Sequence, residues 1–355
     1  MSRARKAWRL FGVVAFNVIV AVLLTELTLF ALVRLPGVTR HTPAVVRGFV
    51  QKVYRHFQRN FIQYDVACAQ YDPGLGYTLR PGTCVFSNVE FSNEYRINSR
   101  GLRDTEEALD RPDVIFLGDS QAMGWGVAQD EAMPQALARK TGLKVLNASI
   151  SSYGTARERM LLDRLDTSRL RAIVIQYCDN DSPENQAFQS AGNTLTIMGE
   201  DQYRWATEFT SRARRYYPGK YVFRLGLKAL QLEEPEVDRA RLDPNLTPAD
   251  EARLFIHTLV EAGRTNLEGV AVIVFEVNSN PARPRSFVAA LQTVKGDATY
   301  PAYVRDMTLI ETEGRLGPDD FFVIDDHLTT RGNDVIADMV ARALSERGVT
   351  PGPPR

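Results

Sequence analysis

Two short stretches hold residues whose types could do chemistry together: Ser120, which follows Gly118 and Asp119 at the end of the apolar run Val114–Leu117, and His327, which follows Asp325 and Asp326. A serine hydroxyl becomes a useful nucleophile when a base takes its proton, and the base needs a third group to fix its tautomer. Four apolar residues in a row predict a buried parallel strand. A Gly-Asp-Ser bend followed by small residues then lifts the hydroxyl at the strand's carboxyl end, where sheets of this kind place their sites. Taken alone, a serine after a glycine at a strand end is commonly a turn or a helix cap. Of the four histidines, His41 and His56 fall in the segment after an N-terminal apolar run and His257 falls on a helix, leaving His327 in a loop after the apolar run Phe321–Ile324. In an extended loop, side chains two apart point the same way, so Asp325 is favoured over Asp326 as the histidine's partner. Asn180, just beyond the apolar run Ala172–Tyr177, offers a neutral donor beside the serine; a turn asparagine is its plain alternative.

The elements that must position these residues alternate. Apolar strands are expected at Val114–Leu117, Lys144–Asn147, Ala172–Tyr177, Val270–Val277 and Phe321–Ile324. Helical patterns are read near Glu131–Thr141, Thr155–Leu165, Pro248–Gly263 and Tyr303–Glu313, and over Thr329 to about Glu346, where Gly348 and Pro351 stop the chain. This alternation predicts a three-layer α/β/α, doubly wound parallel five-stranded sheet. Residues 182–245 form an insertion whose basic-aromatic run, Arg212–Tyr217, could line a groove or simply face solvent.

Ahead of that domain the chain changes character. A basic tail (1–9) precedes the apolar run Leu10–Val33, long enough to cross a bilayer and lacking a small-x-small cleavage site, which predicts a single-pass signal-anchor over 10–34. The basic residues closest to the run favour an N-terminus inside, although Arg34, Arg40, Arg47, Lys52 and Arg55 follow it. Glu26 is expected to snorkel to the headgroups. Residues 35–66 read as an amphipathic juxtamembrane helix with Phe49, Val53, Phe57 and Phe61 in helical register, packed on the domain or on the membrane surface. Residues 67–108 read as a small β appendage, 109–347 as the main domain and 348–355 as a tail. Cys68 and Cys84 flank a turn-rich segment and would close a short loop if oxidised, which fits a non-cytosolic domain, while Cys178 is expected as a buried free thiol. Lys plus Arg equals Asp plus Glu at 43 each, which gives no electrostatic case for nucleic acid. No His/Cys/Asp cluster outside the trio at 325–327 has ligand spacing that suggests a metal, and Gly124-Trp125-Gly126 lacks the lysine of a phosphate loop, so no cofactor is expected.

Gly118-Asp119-Ser120, Asn147-Ala148-Ser149-Ile150-Ser151, Asn180-Asp181 and Asp325-x-His327 resemble, in order, the four blocks of the SGNH/GDSL hydrolase superfamily, over about residues 113–344. The upstream Tyr71-Asp72-Pro73-x-Leu75-Gly76-Tyr77 and Asn98-Ser99-x-Gly101-Leu102-Arg103-Asp104 resemble the preamble of membrane-anchored bacterial members. The resemblance implies a flavodoxin-like fold and an ester-cleaving mechanism with Ser120 as nucleophile, His327 as general base and acid, and Asp325 as its orienter. It also implies an oxyanion hole made by the backbone N–H of Ser120, a backbone N–H from the second block and the Asn180 amide. Two departures matter. The second-block glycine aligns with Ser152, so the donor comes from Ser152 in a left-handed conformation that strains a non-glycine residue, or from Gly154. The aspartate stands two before the histidine, where many members place it three before; this resembles the subset containing membrane-associated polysaccharide O-acetyltransferases. The expected function is therefore a membrane-anchored esterase acting on acyl esters, O-acetyl groups of envelope or extracellular glycans above all, on the outer side of the inner membrane. Two alternatives stand beside it: an O-acyltransferase fed by a membrane partner protein, and a non-catalytic envelope scaffold.

Overall fold

The computed structural model describes residues 3–232, 246–278 and 287–351. The end of the expected insertion (233–245), the first two residues of the basic tail and the last four of the C-terminal tail lie outside the described residues. In chain order the elements are α1 (Arg3–Arg34), α2 (Pro36–Thr39), α3 (Ala44–Phe57), β1 (Ala69–Asp72), β2 (Gly76–Leu79), β3 (Gly82–Ser87), β4 (Ser92–Ile97), β5 (Val114–Leu117), α4 (Ser120–Met123), α5 (Met133–Thr141), β6 (Val145–Asn147), α6 (Thr155–Leu162), β7 (Ala172–Tyr177) and α7 (Asp181–Ser190). They continue with α8 (Glu200–Ala213), α9 (Lys220–Ala229), α10 (Pro248–Glu261), β8 (Ala271–Glu276), α11 (Phe287–Val294), α12 (Ala302–Arg305), β9 (Thr308–Ile310) and α13 (Thr330–Glu346).

Five parallel strands form one sheet in the order β6-β5-β7-β8-β9. Alternation along each strand sorts its side chains to two faces. Ile115, Leu117, Ile173, Ile175, Val272 and Val274 pack with Leu161 of α6, Phe255 and Leu259 of α10, and Leu291 of α11. Val114, Phe116, Val174, Ile273 and Phe275 pack on the other side with Leu137 of α5 and Ile336, Val340 and Leu344 of α13. With both faces covered the strands read as continuous apolar runs, which is why the sequence reveals them. The result is the three-layer α/β/α architecture expected.

One strand expectation is corrected. The fifth strand is β9, Thr308–Ile310, within the region read as helical, and Phe321–Ile324 forms no strand beyond a single antiparallel bridge between Phe321 and Leu328. Its backbone is engaged elsewhere: the N–H groups of Val323 and Ile324 donate to the Glu90 carboxylate, and that of Phe322 donates to the His327 carbonyl. Three residues of strand are too few to carry a readable period.

The appendage is two antiparallel hairpins, β1–β2 and β3–β4, and Cys68 and Cys84 form a disulfide within it. Cys178 is buried and free. The juxtamembrane segment packs on the domain through Val53 and Phe57 of the expected stripe, joined by Val50 and Tyr54 in place of Phe49 and Phe61. Val50, Val53, Tyr54 and Phe57 of α3 are buried against Leu29 and Val33 of α1, Tyr221 and Ile324, whereas Phe49 is exposed and α3 ends before Phe61. Glu26 does not snorkel. It is buried, accepting the N–H of Val222 at 3.0 Å and the Tyr216 hydroxyl at 3.1 Å. Tyr216 of the basic-aromatic run thus faces α1, its ring tilted 48° against that of Phe30 with centroids 4.7 Å apart.

Candidate active site

The turn after β5 is tightly specified. At Gly118 an added Cβ would lie 2.8 Å from Ala122 Cβ and 2.8 Å from Gln176 Oε1, so only glycine fits. Asp119 caps α4, its carboxylate accepting the Gln121 N–H at 2.8 Å, and its own N–H donates to Gln176 Oε1 at 3.1 Å. Burial raises the Asp119 carboxyl above its ordinary range despite that cap bond. The cap holds Ser120 as the first residue of α4.

Ser120, His327 and Asp325 come together in a hydrogen-bonded row. His327 Nε2 lies 2.7 Å from Ser120 Oγ, and Nδ1 lies 2.5 Å from Asp325 Oδ1. Because Nδ1 faces a carboxylate it carries the ring proton, which leaves Nε2 to accept from the serine. Asp326 Oδ1 is 3.4 Å from the same Nδ1, and its carboxylate instead pairs with Arg55 at 2.6 Å and Arg59 at 2.9 Å. The two aspartates diverge as neighbours in an extended loop do.

Around this row stand groups that the motif reading did not include. The Tyr54 hydroxyl donates to Asp325 Oδ2 at 2.9 Å, and Trp125 Nε1 donates to the same oxygen at 3.3 Å. Trp125 also stacks on the His327 ring, 4.5 Å between centroids and 13° from parallel. Arg59 Nη2 lies 3.2 and 3.3 Å from the two ring nitrogens, near-equal distances that set it over the ring rather than in its plane. Burial works to raise the Asp325 carboxyl, but the charge of Arg59 and the bond to His327 outweigh it and hold it well below the usual carboxylate range. Burial and the neighbouring Asp325 push the Tyr54 hydroxyl upward, so it remains a donor.

The loop bearing these residues is pinned from outside the α/β layers. Glu90, in the β3–β4 turn, accepts the N–H groups of Val323, Ile324 and Asp325 at 2.7–2.9 Å. Gln121 donates to the Asp326 carbonyl at 3.0 Å and accepts the Leu328 N–H at 3.1 Å, and Gln51 of α3 donates to the Val323 carbonyl at 2.9 Å. The preamble residue Arg103 is a brace rather than a reactive group: buried, it donates to the carbonyls of Met123, Gly124 and Val127, while Asp104 accepts the Asn147 N–H at 2.8 Å. Tyr54, Arg55 and Arg59 sit on an ordinary amphipathic pattern and Glu90 in a polar turn, so nothing in their local sequence marks them.

The expected oxyanion donors are placed less closely. Asn180 precedes α7 and is exposed, near enough to the Asp119 carboxyl to favour its ionised form. Ser152 has φ +60°, the left-handed conformation anticipated for it, with its hydroxyl accepting from Gln63 at 3.0 Å. Gly154 opens α6 against Glu184, where a Cβ would meet that side chain at 3.0 Å. Donor atoms of Asp325, Asp326 and His327 lie within 4.8 Å of one another. Arg55 and Arg59 already neutralise Asp326, and Tyr54 and Trp125 donate to Asp325 Oδ2, so the trio fits a metal poorly.

No family model and no curated protein matches the chain. Among solved structures it is similar to one described as a lipolytic protein of the G-D-S-L family from Desulfitobacterium hafniense DCB-2, at 8% identity and a TM-score of 0.36, over 65% of this chain and 98% of that one. It is also similar to one described as a GDSL-like lipase from Bacteroides ovatus ATCC 8483, at 14% identity and a TM-score of 0.36, over 66% of this chain and 53% of that one. Three of the four ordered blocks lie at or just beyond the carboxyl ends of β5, β6 and β7 in a sheet that runs second-first-third-fourth-fifth, and the fourth, in the loop between β9 and α13, is joined to the first by the His327–Ser120 hydrogen bond.

Proposed function

We propose that the protein is a membrane-anchored serine esterase that cleaves acyl esters, with O-acetyl groups on envelope or extracellular glycans as its substrates. The observation that carries this reading is the row Ser120 Oγ–His327 Nε2–Asp325, at 2.7 and 2.5 Å. In that geometry Ser120 Oγ attacks the acyl carbonyl as its proton passes to Nε2, and Asp325 stabilises the imidazolium so formed. The tetrahedral oxyanion is received by the backbone N–H of Ser120, by that of Ser152 or Gly154, and by the Asn180 amide. His327 then returns its proton to the leaving sugar oxygen, and a water attacks the acyl-enzyme by the same relay. The apolar helix Trp8–Arg34 supports anchoring. With its basic N-terminal flank inside, the catalytic domain lies on the periplasmic or extracellular side of the inner membrane, where a tethered enzyme meets surface polymers at high effective concentration.

The Asp325-x-His327 spacing favours one second reading, in which a glycan hydroxyl replaces water and a membrane partner supplies the acyl donor. Release of p-nitrophenol from p-nitrophenyl acetate by the full chain in detergent, beside Ser120→Ala, with fluorophosphonate labelling located by mass spectrometry, separates these outcomes. Turnover and labelling at Ser120, both lost in the variant, are expected. Labelling with negligible turnover selects the transferase. Folded wild-type protein that does neither is a scaffold.

A further inference from the structure

The surface of α1 changes abruptly at Glu26. From Trp8 to Thr25 its side chains are exposed or half-buried all round, whereas Glu26, Leu29 and Val33 are buried against the rest of the chain. A helix of Trp8–Thr25 rises about 27 Å at the usual 1.5 Å per residue, close to the roughly 30 Å of a hydrocarbon core. A bilayer around α1 must therefore end near Glu26, because beyond it the domain itself occupies the helix's flank. The residues that grip Glu26 belong to the insertion: Val222, in the first turn of α9, donates its N–H to the carboxylate, and Tyr216 donates its hydroxyl. The opposite side of α9 is fixed to α3, with the Lys220 ammonium donating to the Phe57 carbonyl and the Arg224 guanidinium over the Phe57 ring. α9 thus begins at the level where the lipid stops.

Its free surface suits that position. Phe223 is 57% exposed and Leu230 is 68% exposed, and together with half-buried Leu227 they form an i, i+4, i+7 stripe. Lys228 is exposed beside it, as a headgroup-facing cation would be. We propose that α9 is a second membrane contact, its Phe223–Leu227–Leu230 stripe resting in the headgroup–acyl boundary of the leaflet from which α1 emerges. The occupant of this face is the phospholipid bilayer. The inference rests on α1 being the membrane span, and it fixes the domain's tilt, which a single flexible tether leaves free.

The test uses the full chain in nanodiscs of phosphatidylcholine and phosphatidylglycerol. Cys68 and Cys84 are bonded and Cys178 is buried, so a cysteine introduced at the surface is the one that a spin label takes. Labels at Phe223→Cys and Leu230→Cys are expected to show an oxygen-to-nickel collision ratio severalfold above that of Asp338→Cys on the exposed side of α13. Ratios equal to that control overturn the proposal. The unaltered protein gives a second readout: a lipid carrying a diazirine in its acyl chain should tag the peptide 220–232 as well as α1. Tagging confined to α1 leaves the span intact and overturns the contact, and tagging of neither removes the span on which it rests.

Discussion

Asp325 is held from four sides: His327 at one oxygen, Tyr54 and Trp125 at the other, and Glu90 at its backbone N–H. A carboxylate so fixed cannot swing away from the imidazole, and each bond to it carries part of the orientation. Tyr54→Phe keeps the buried ring and removes one charge-assisted bond of about 1.5–3 kcal/mol. Its expected effect is a roughly tenfold fall in kcat with KM unchanged, read with a chromogenic acetyl ester, because the ring does not touch the acyl group. Asp325→Asn, which presents the wrong hydrogen-bonding partner to Nδ1, should lower kcat by about 10⁴. Arg59 sets a pH dependence. The depressed Asp325 carboxyl contributes stability that is fully present above its unfolded value, near about pH 4, and is lost as pH falls through the depressed folded value. Arg59→Gln raises that folded value toward the unfolded one and so shrinks the pH-linked contribution: urea midpoints measured from pH 6 to 3 should fall less steeply in the variant than in wild type. At every pH the variant should also be weaker by about 3 kcal/mol, since Asp326 loses a buried partner.

Among the elements, those with a local pattern were legible and those defined by distant partners were not. Strands β5, β7 and β8 announce themselves as apolar runs, and α13 shows its period between Val335 and Leu344. The Gly-Asp-Ser turn and the Asp-x-His loop were legible because bend chemistry and the resemblance converge on them. β9 was missed because three residues have no period, and Phe321–Ile324 was misread because its apolar residues serve a loop whose N–H groups belong to Glu90. That bond spans 233 to 235 positions, beyond anything a window of sequence can reveal. The hairpin that supplies Glu90 is itself stapled. Removing the Cys68–Cys84 bond, which closes a separation of 16 residues, in a Cys68→Ala/Cys84→Ala variant should cost about 3 kcal/mol of unfolding free energy by denaturant titration.

On the scale of the whole molecule, the boundary read at residue 109 cuts through the site. α3 contributes Gln51, Tyr54 and Arg55, the residues just after it contribute Arg59, and the β3–β4 turn contributes Glu90. A chain beginning at Thr42 should retain fluorophosphonate labelling at Ser120, whereas one beginning at Glu106, although it keeps all five strands, should lose it; far-ultraviolet circular dichroism separates an unassembled site from an unfolded chain.

The tyrosine–aspartate bond also has a consequence in time. Its partners are 271 positions apart, and the histidine joins the serine across 207. During synthesis the serine, α3 and the Glu90 hairpin all leave the ribosome well before the histidine does. A nascent chain arrested between Ser120 and Asp325 is therefore expected to be chemically inert toward fluorophosphonate, with reactivity switching on once His327 has emerged and docked. If the proposed function holds, long-range assembly makes the chain its own timer, silent until its last site residue has docked.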